Sequence, residues 1–184
     1  MAEVAEAVIE VRVEEIGQLF DNLDPFPFRE RDLDKGAEDF IVGWARELPA
    51  DRPFRIVVHL PEDAAENRLA QDCGAAFARF FAYRADGIGR DLRELFRVGR
   101  QSLIIGLGAL AAFLIAGQIA ADRLGDGYLA RFVGEGLIIL AWVANWKPIG
   151  IFLYDWWPLA RQRNLYRRLA AAYVEIRPQM RTPP

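Results

Sequence analysis

Serine occurs once in this chain, at Ser102, and threonine once, at Thr182. A hydroxyl nucleophile with a base beside it is therefore hardly available, because one lies at the edge of an apolar run and the other in the C-terminal tail. Cysteine and histidine are equally scarce, with Cys73 and His59 the single examples. That excludes a disulfide framework and leaves an ordinary zinc set incomplete without carboxylates or a second chain. A lone Cys73 reads as a small buried hydrophobe, and His59 as an exposed residue near a strand end, on the face of Arg55. The one glycine pattern near a phosphate loop, DGIGRD at Asp86–Asp91, follows a helical pattern, lacks the Lys and Ser/Thr of a P-loop and has no GxGxxG spacing. Internal repeats and low-complexity tracts are missing as well. These absences point away from an enzyme and from any metal or cofactor.

Charge is unevenly spread. Met1–Gly89 holds nineteen Asp/Glu against ten Lys/Arg, while Arg90, Arg93, Arg97, Arg100 and, further on, Arg161, Arg163, Arg167, Arg168 form two basic clusters. An acidic head lacks the basic footprint that nucleic acid requires. Both clusters flank long apolar runs, and beside anionic lipid each arginine contributes about 1 kcal/mol of attraction. Lysine is confined to Lys35 and Lys147, and arginine with abundant alanine and glycine suggests a GC-rich bacterial genome.

The apolar runs dominate the second half. Ser102–Ala121 has Gln118 as its one strongly polar interior residue and is about the length a helix needs to cross a bilayer. The second run, from near Tyr128 to Tyr154, carries Glu135, Asn145 and Lys147 and is interrupted by Pro148. Either one Pro-kinked helix reaches Asp155, or a shorter span ends near Trp146 and Ile149–Trp157 lies in the interface. The arginines place both termini in the cytoplasm and the loop containing Asp122, Arg123, Asp126 and Arg131 on the far side. The acidic Met1–Glu15 segment has no apolar stretch of the kind a signal peptide needs.

In the head, Ala7, Ile9, Val11 and Val13 share one face of an alternating strand. Ile16, Leu19, Phe20 and Leu23 suggest a short helix over Glu14–Leu23, stopped before Pro25. Asp32 or Asp34 caps a second helix with Leu33, Ala37, Phe40, Ile41, Trp44 and Leu48 on its apolar face. Phe54–Leu60 is a strand, giving a right-handed βαβ unit with parallel strands. Leu69, Cys73, Phe77, Phe80 and Phe81, then Ile88, Leu92, Leu95 and Phe96, keep one stripe on a helix that runs toward the first apolar span, with Gly87 and Gly89 as bend points. After the second span, Leu159, Gln162, Leu165, Tyr166 and Leu169 mark an amphipathic helix, and Tyr173–Arg177 a third strand that closes on one of the first two.

The fold class expected is therefore an α+β membrane protein: a small cytoplasmic βαβ-type domain of two or three strands on a two-helix transmembrane hairpin. Residues 1–89 form the head and residues 90–157 the juxtamembrane helix and hairpin, with spans at about 102–121 and 130–154. Residues 158–184 form the amphipathic helix, the returning strand and a tail.

Several polar and small residues are candidate functional positions. Glu135 pairs with Arg131 one helical turn away, or serves an intramembrane function. Lys147 snorkels to the interface or holds a shiftable ammonium, with Asp155 as a partner about 12 Å along the helix. Gly108, Ala112, Ala116 and Ala120, with Gly134 and Ala141, offer small faces on which the hairpin closes or copies meet. Phe26 and Phe28, between prolines, either present a docking surface or tuck under the sheet.

The run FLYDWWP at Phe152–Pro158, followed by LYRRL, with LDPFPFRERDLD and HLP earlier in the chain, resembles a bacterial family of small two-span membrane proteins. The resemblance covers most of the chain and implies the architecture without an activity. The expected function is a membrane-anchored structural or interaction protein of the bacterial inner membrane, which self-associates as a homo-oligomer or docks on a partner membrane protein. The alternative is a small oligomeric channel or ion-coupled transporter with Glu135, Asn145 and Lys147 along its path.

Overall fold

The structure, a computed structural model, describes residues 7–21, 32–49, 51–62, 68–125 and 127–179. The chain is mostly helical, with one three-stranded sheet and two long apolar helices. It divides into two compact units, residues 1–88 with 161–184 and residues 89–160.

The first unit is built on the sheet. Strand β1, Ala7–Arg12, buries Ala7, Ile9 and Val11 and exposes the residues between them, as period-two alternation dictates. Strand β2, Phe54–Pro61, buries Phe54, Ile56, Val57, Val58 and Leu60. It pairs in parallel with β1, Ile9 opposite Ile56, and with strand β3, Tyr173–Gln179, Val174 opposite Ile56 and Ile176 opposite Val58. Strand order is β1-β2-β3, so β3 joins the Phe54 strand and its Pro178 sits where an edge strand tolerates a missing donor.

Helix α1, Lys35–Glu47, starts at Asp34, whose carboxylate accepts from the backbone N–H of Gly36 at 2.8 Å and Ala37 at 3.3 Å. Its buried side is Glu38, Ile41, Val42 and Ala45. Phe40 and Trp44, expected on the apolar face, are 45% and 49% exposed. The packed face is rotated because short Val42 and Ala45 let α1 approach the sheet, which leaves the two rings outside with centroids 6.3 Å apart. The helix expected over Glu14–Leu23 is instead a 3₁₀ turn at Ile16–Leu19. Phe20 leaves it to form an antiparallel bridge with Leu33, fixed by bonds from Asp21 N–H to Asp32 O at 2.9 Å and Asp34 N–H to Leu19 O at 2.9 Å.

Helix α2, Arg68–Leu124, is unbroken through Gly87 and Gly89. Its first part carries Cys73, Phe77, Phe80 and Phe81 into the core, where Phe77 meets Phe20 edge-on at 6.0 Å and Phe80 meets Phe81 at 5.3 Å. Burial pushes the Cys73 thiol up to about 12, so it acts as a hydrophobe. Helix α4, Trp156–Ala170, adds Tyr166 and Leu169.

The second unit is an antiparallel helix pair, the rest of α2 and helix α3, Tyr128–Gly150, followed by a π turn at Ile151–Asp155 that leads into α4. The helix therefore neither stops near Trp146 nor ends at Asp155. Proline removes one donor from the ladder and the π turn inserts one extra residue, and together they carry the chain past Pro148 without a break. By length and composition both apolar helices are long enough to cross a membrane, and only 6% and 17% of their most apolar stretches are buried within the chain.

Candidate functional site

The helix pair closes on a heptad seam. Gly99, Ser102, Gly106, Ala109, Phe113, Ala116 and Ala120 on α2, and Leu137, Ala141, Ala144, Pro148 and Ile151 on the facing chain, are buried or half-buried, and Gly99 faces Ile151, Gly106 faces Asn145 and Gly117 faces Leu137. Steps of three and four residues give the 3.5 period of coiled-coil pairing, and small side chains bring the backbones close. Gly134 is half-buried with nothing within 4 Å of its Cβ position, while Ala116, Ala120 and Ala141 fall on the seam. Gly108 and Ala112 do not: both are exposed, and Gly108 has no neighbour within 4 Å of a Cβ position. Counting every fourth residue drifts around the helix, whereas the 3.5 period tracks the partner.

Gly106 is the tightest point of the seam. The Asn145 amide donates to Gly106 O at 3.1 Å across the pair and to Ala141 O at 2.9 Å on its own helix. Beside it lies Ala144 O, the carbonyl that Pro148 cannot serve, 3.2 Å from the place a Cβ on Gly106 would take. Only glycine leaves room there, and its Cα–H faces the freed carbonyl. Asn145 is thus hydrogen-bonded inside a single hairpin.

Lys147 lies on the opposite side of α3, about 200° around from Asn145 on an ideal helix. It is exposed and lines an open groove with Ile139, Trp142, Val143, Trp146, Gly150 and Asp155. Among the described residues Lys147 and Asp155 form no ion pair, with each other or with any other group, so the expected partnership places them in one groove without joining them. Glu135 is exposed and likewise lacks the expected pair with Arg131 among the described residues. Their side chains point outward, where no packing holds them together.

The flanking arginines separate into different environments. Arg90, Arg93, Arg97 and Arg100, with Glu94 and Phe96, surround a shallow basic groove on α2. Arg97 pairs with Glu94 at 2.8 Å and Arg93 Nε donates to Gly89 O at 3.3 Å. Phe96 stacks on Phe152 at 6.2 Å and meets Trp156 at 6.4 Å, and the Trp156 indole donates to Phe152 O at 3.0 Å within the π turn. Arg161 and Arg167 are exposed. Arg168, expected to face lipid, instead donates to Pro49 O at 2.9 Å and Arg52 O at 2.8 Å, with its guanidinium 3.9 Å from the Phe54 ring centroid. Its planar fork matches two carbonyls of the turn before β2. Arg163 is half-buried, its Nε without a hydrogen-bond partner among the described residues.

The first unit holds a buried polar cluster that the sequence reading missed. Glu38, 6% exposed, accepts from Tyr166 Oη at 2.9 Å and from Arg84 at 2.6 Å, and Arg84 lies 5.2 Å from the Phe80 ring centroid. Burial, with the hydrogen bond to Glu38, pushes the Tyr166 hydroxyl up to about 12. The cluster ties α1, α2 and α4 together. On the sheet, His59 lies 3.6 Å from Glu10 with its side chain 16% exposed, so it is more covered than expected. Arg177 holds the Glu175 carboxyl below its usual range through a 2.7 Å hydrogen bond. Phe26 and Phe28 lie outside the described residues. No group of three or more metal-ligating side chains forms among the described residues. Comparison with protein-family models, with curated proteins and with solved structures finds no match for this chain.

Proposed function

We propose that this protein is a membrane-anchored structural or interaction protein of the bacterial inner membrane, its hairpin inserted in the bilayer and both termini cytoplasmic. It self-associates or docks on a partner membrane complex. The observation that carries the reading is the apolar surface of the helix pair, of which so little is buried within the chain. A core helix of a water-soluble domain of this length covers most of its apolar side chains, whereas Ile104, Ile105, Ile115, Phe132 and Ile139 are all more than 60% exposed. Arginines at the ends of both runs fit a cytoplasmic leaflet of anionic lipid.

Two surfaces support association. Gly108 and Ala112 stand one helical turn apart on the outer side of α2, a spacing that lets helices approach closely in lipid. Phe40 and Trp44 form an exposed aromatic pair on the head, suited to a protein partner. An ion path is less well supported, because Asn145 is used within the seam and Lys147 points the other way. Native mass spectrometry of the full chain in lipid nanodiscs tests the reading: we expect more than one copy, or a co-purifying membrane protein, with Gly108→Leu reducing the assembly. A monomer without partners, unchanged by Gly108→Leu, would contradict it.

A further inference from the structure

Ile139, Trp142, Val143, Trp146, Lys147 and Gly150 recur at three and four residue steps, so they form one face of α3. Continued at that period, the face would next present Leu153 or Tyr154. Asp155 lines the groove instead, because the π turn at Ile151–Asp155 inserts one residue and delays the register. π turns of this kind are frequently found at functional sites. Here the insertion brings a carboxylate onto a face that already carries an ammonium, at a distance of eight residues, about 12 Å of helix.

The order of groups along the groove is apolar, then indole, then cation, then anion. Resting on the membrane reading above, we infer that this groove binds one phospholipid with a zwitterionic, amine-bearing headgroup of the phosphatidylethanolamine class. Its acyl chain lies along Ile139, Trp142 and Val143. Trp146 sits at the ester level, where indoles collect. Lys147, extending toward the cytoplasmic surface, donates to the phosphate. Asp155, nearer that surface, accepts from the terminal ammonium. The headgroup carries its phosphate next to the glycerol and its amine outermost, so the two charges of the groove match it in sign and in order. Neither charge forms an ion pair within the chain among the described residues, and an anionic headgroup without an amine would leave Asp155 unmatched and repelled.

The test uses the purified full chain in nanodiscs containing phosphatidylethanolamine, phosphatidylcholine or phosphatidylglycerol in equal amounts, with retained lipid counted by native mass spectrometry after mild delipidation. Phosphatidylcholine keeps the charges but has no N–H to donate, and phosphatidylglycerol keeps the phosphate but has no amine. We expect the ethanolamine lipid to be retained about tenfold over the other two, in line with one charge-assisted hydrogen bond. Asp155→Asn should remove that preference while phosphate-dependent retention survives, and Lys147→Met should lower retention of all three. Both side chains are exposed, so neither change disturbs packing, and an unchanged thermal transition in each variant verifies this. Equal retention of the three lipids by the unaltered chain, or a preference that survives Asp155→Asn, would overturn the inference. Failure of the protein to float with vesicles of mixed ethanolamine and glycerol phospholipids would overturn the membrane reading and this site together, whereas flotation without a headgroup preference overturns the site alone.

Discussion

Two glycines on α2, two residues apart, should respond oppositely to the same substitution. A Cβ at Gly106 would stand 2.7 Å from Asn145 Oδ1 and 3.2 Å from Ala144 O, whereas one at Gly108 meets nothing within 4 Å. Asn145 cannot swing aside cheaply, because its amide holds both Gly106 O and Ala141 O. Gly106→Ala therefore forces overpacking, at about 1–3 kcal/mol, and weakens an interhelical hydrogen bond that contributes about 0.6 kcal/mol in membrane helices. Against this stands a helix-propensity gain of up to about 1 kcal/mol for replacing glycine. The net expectation is a loss of about 1–2 kcal/mol for Gly106→Ala and a gain of up to about 1 kcal/mol for Gly108→Ala. Equilibrium unfolding of the full chain from mild detergent micelles by a denaturing detergent, followed by tryptophan fluorescence, measures both. Asn145→Ala combined with Gly106→Ala should recover part of the loss and not all of it, since the Ala144 carbonyl remains. Equal shifts of the same sign at the two glycines would refute the seam.

In the head, Trp44→Ala should cost no more than about 1 kcal/mol because the ring is half exposed, while Ile41→Ala on the same helix should cost about 2–5 kcal/mol; chemical denaturation compares them. Tyr166→Phe removes a buried hydrogen bond to Glu38 and should destabilise by about 0.5–1.5 kcal/mol, with a double-mutant cycle against Glu38→Gln showing that the two effects are not additive. Cys73 should resist alkylation at pH 8 at the rate set by opening of the head. Its folded pKa is raised, so its contribution to stability is complete below the unfolded value of about 8.5 and declines as pH rises toward about 12. Cys73→Ala should flatten that alkaline decline, read from unfolding midpoints between pH 8 and 11.

Patterns with a local cause were legible in the sequence. Alternation around Ile9 marked β1, Asp32 and Asp34 marked the start of α1 without choosing between them, and the β-branched run after Phe54 marked a strand parallel to β1 without showing that it is the central one. Patterns decided by tertiary contact were not. The Ile16, Leu19, Phe20 spacing fits a helix, but a bridge between Phe20 and Leu33 uses those backbone groups otherwise. Leu33, Ala37, Phe40, Ile41, Trp44 and Leu48 fit one helical face, yet small Val42 and Ala45 turn the contact away from the rings. Two small-residue stripes overlap on α2, and only the position of Asn145 opposite Gly106 selects the 3.5 period. A single inserted residue in the π turn has no sequence mark apart from its neighbourhood to Pro148, and without it Asp155 is not on the groove. Arg168 looked like one of a cluster of four because charge counts do not show which arginine finds two carbonyls.

Cysteine accessibility in intact cells measures most directly whether the helix pair lies across a bilayer. Native Cys73 is fully buried, so the background is low. A Gly127→Cys variant in the connection between α2 and α3 should react with a membrane-impermeant maleimide from outside the cell, while Glu47→Cys on the exposed end of α1 should react only after the membrane is opened. Labelling of both sites only after permeabilisation, or recovery of the protein in the soluble fraction after alkaline carbonate washing, would contradict the central claim.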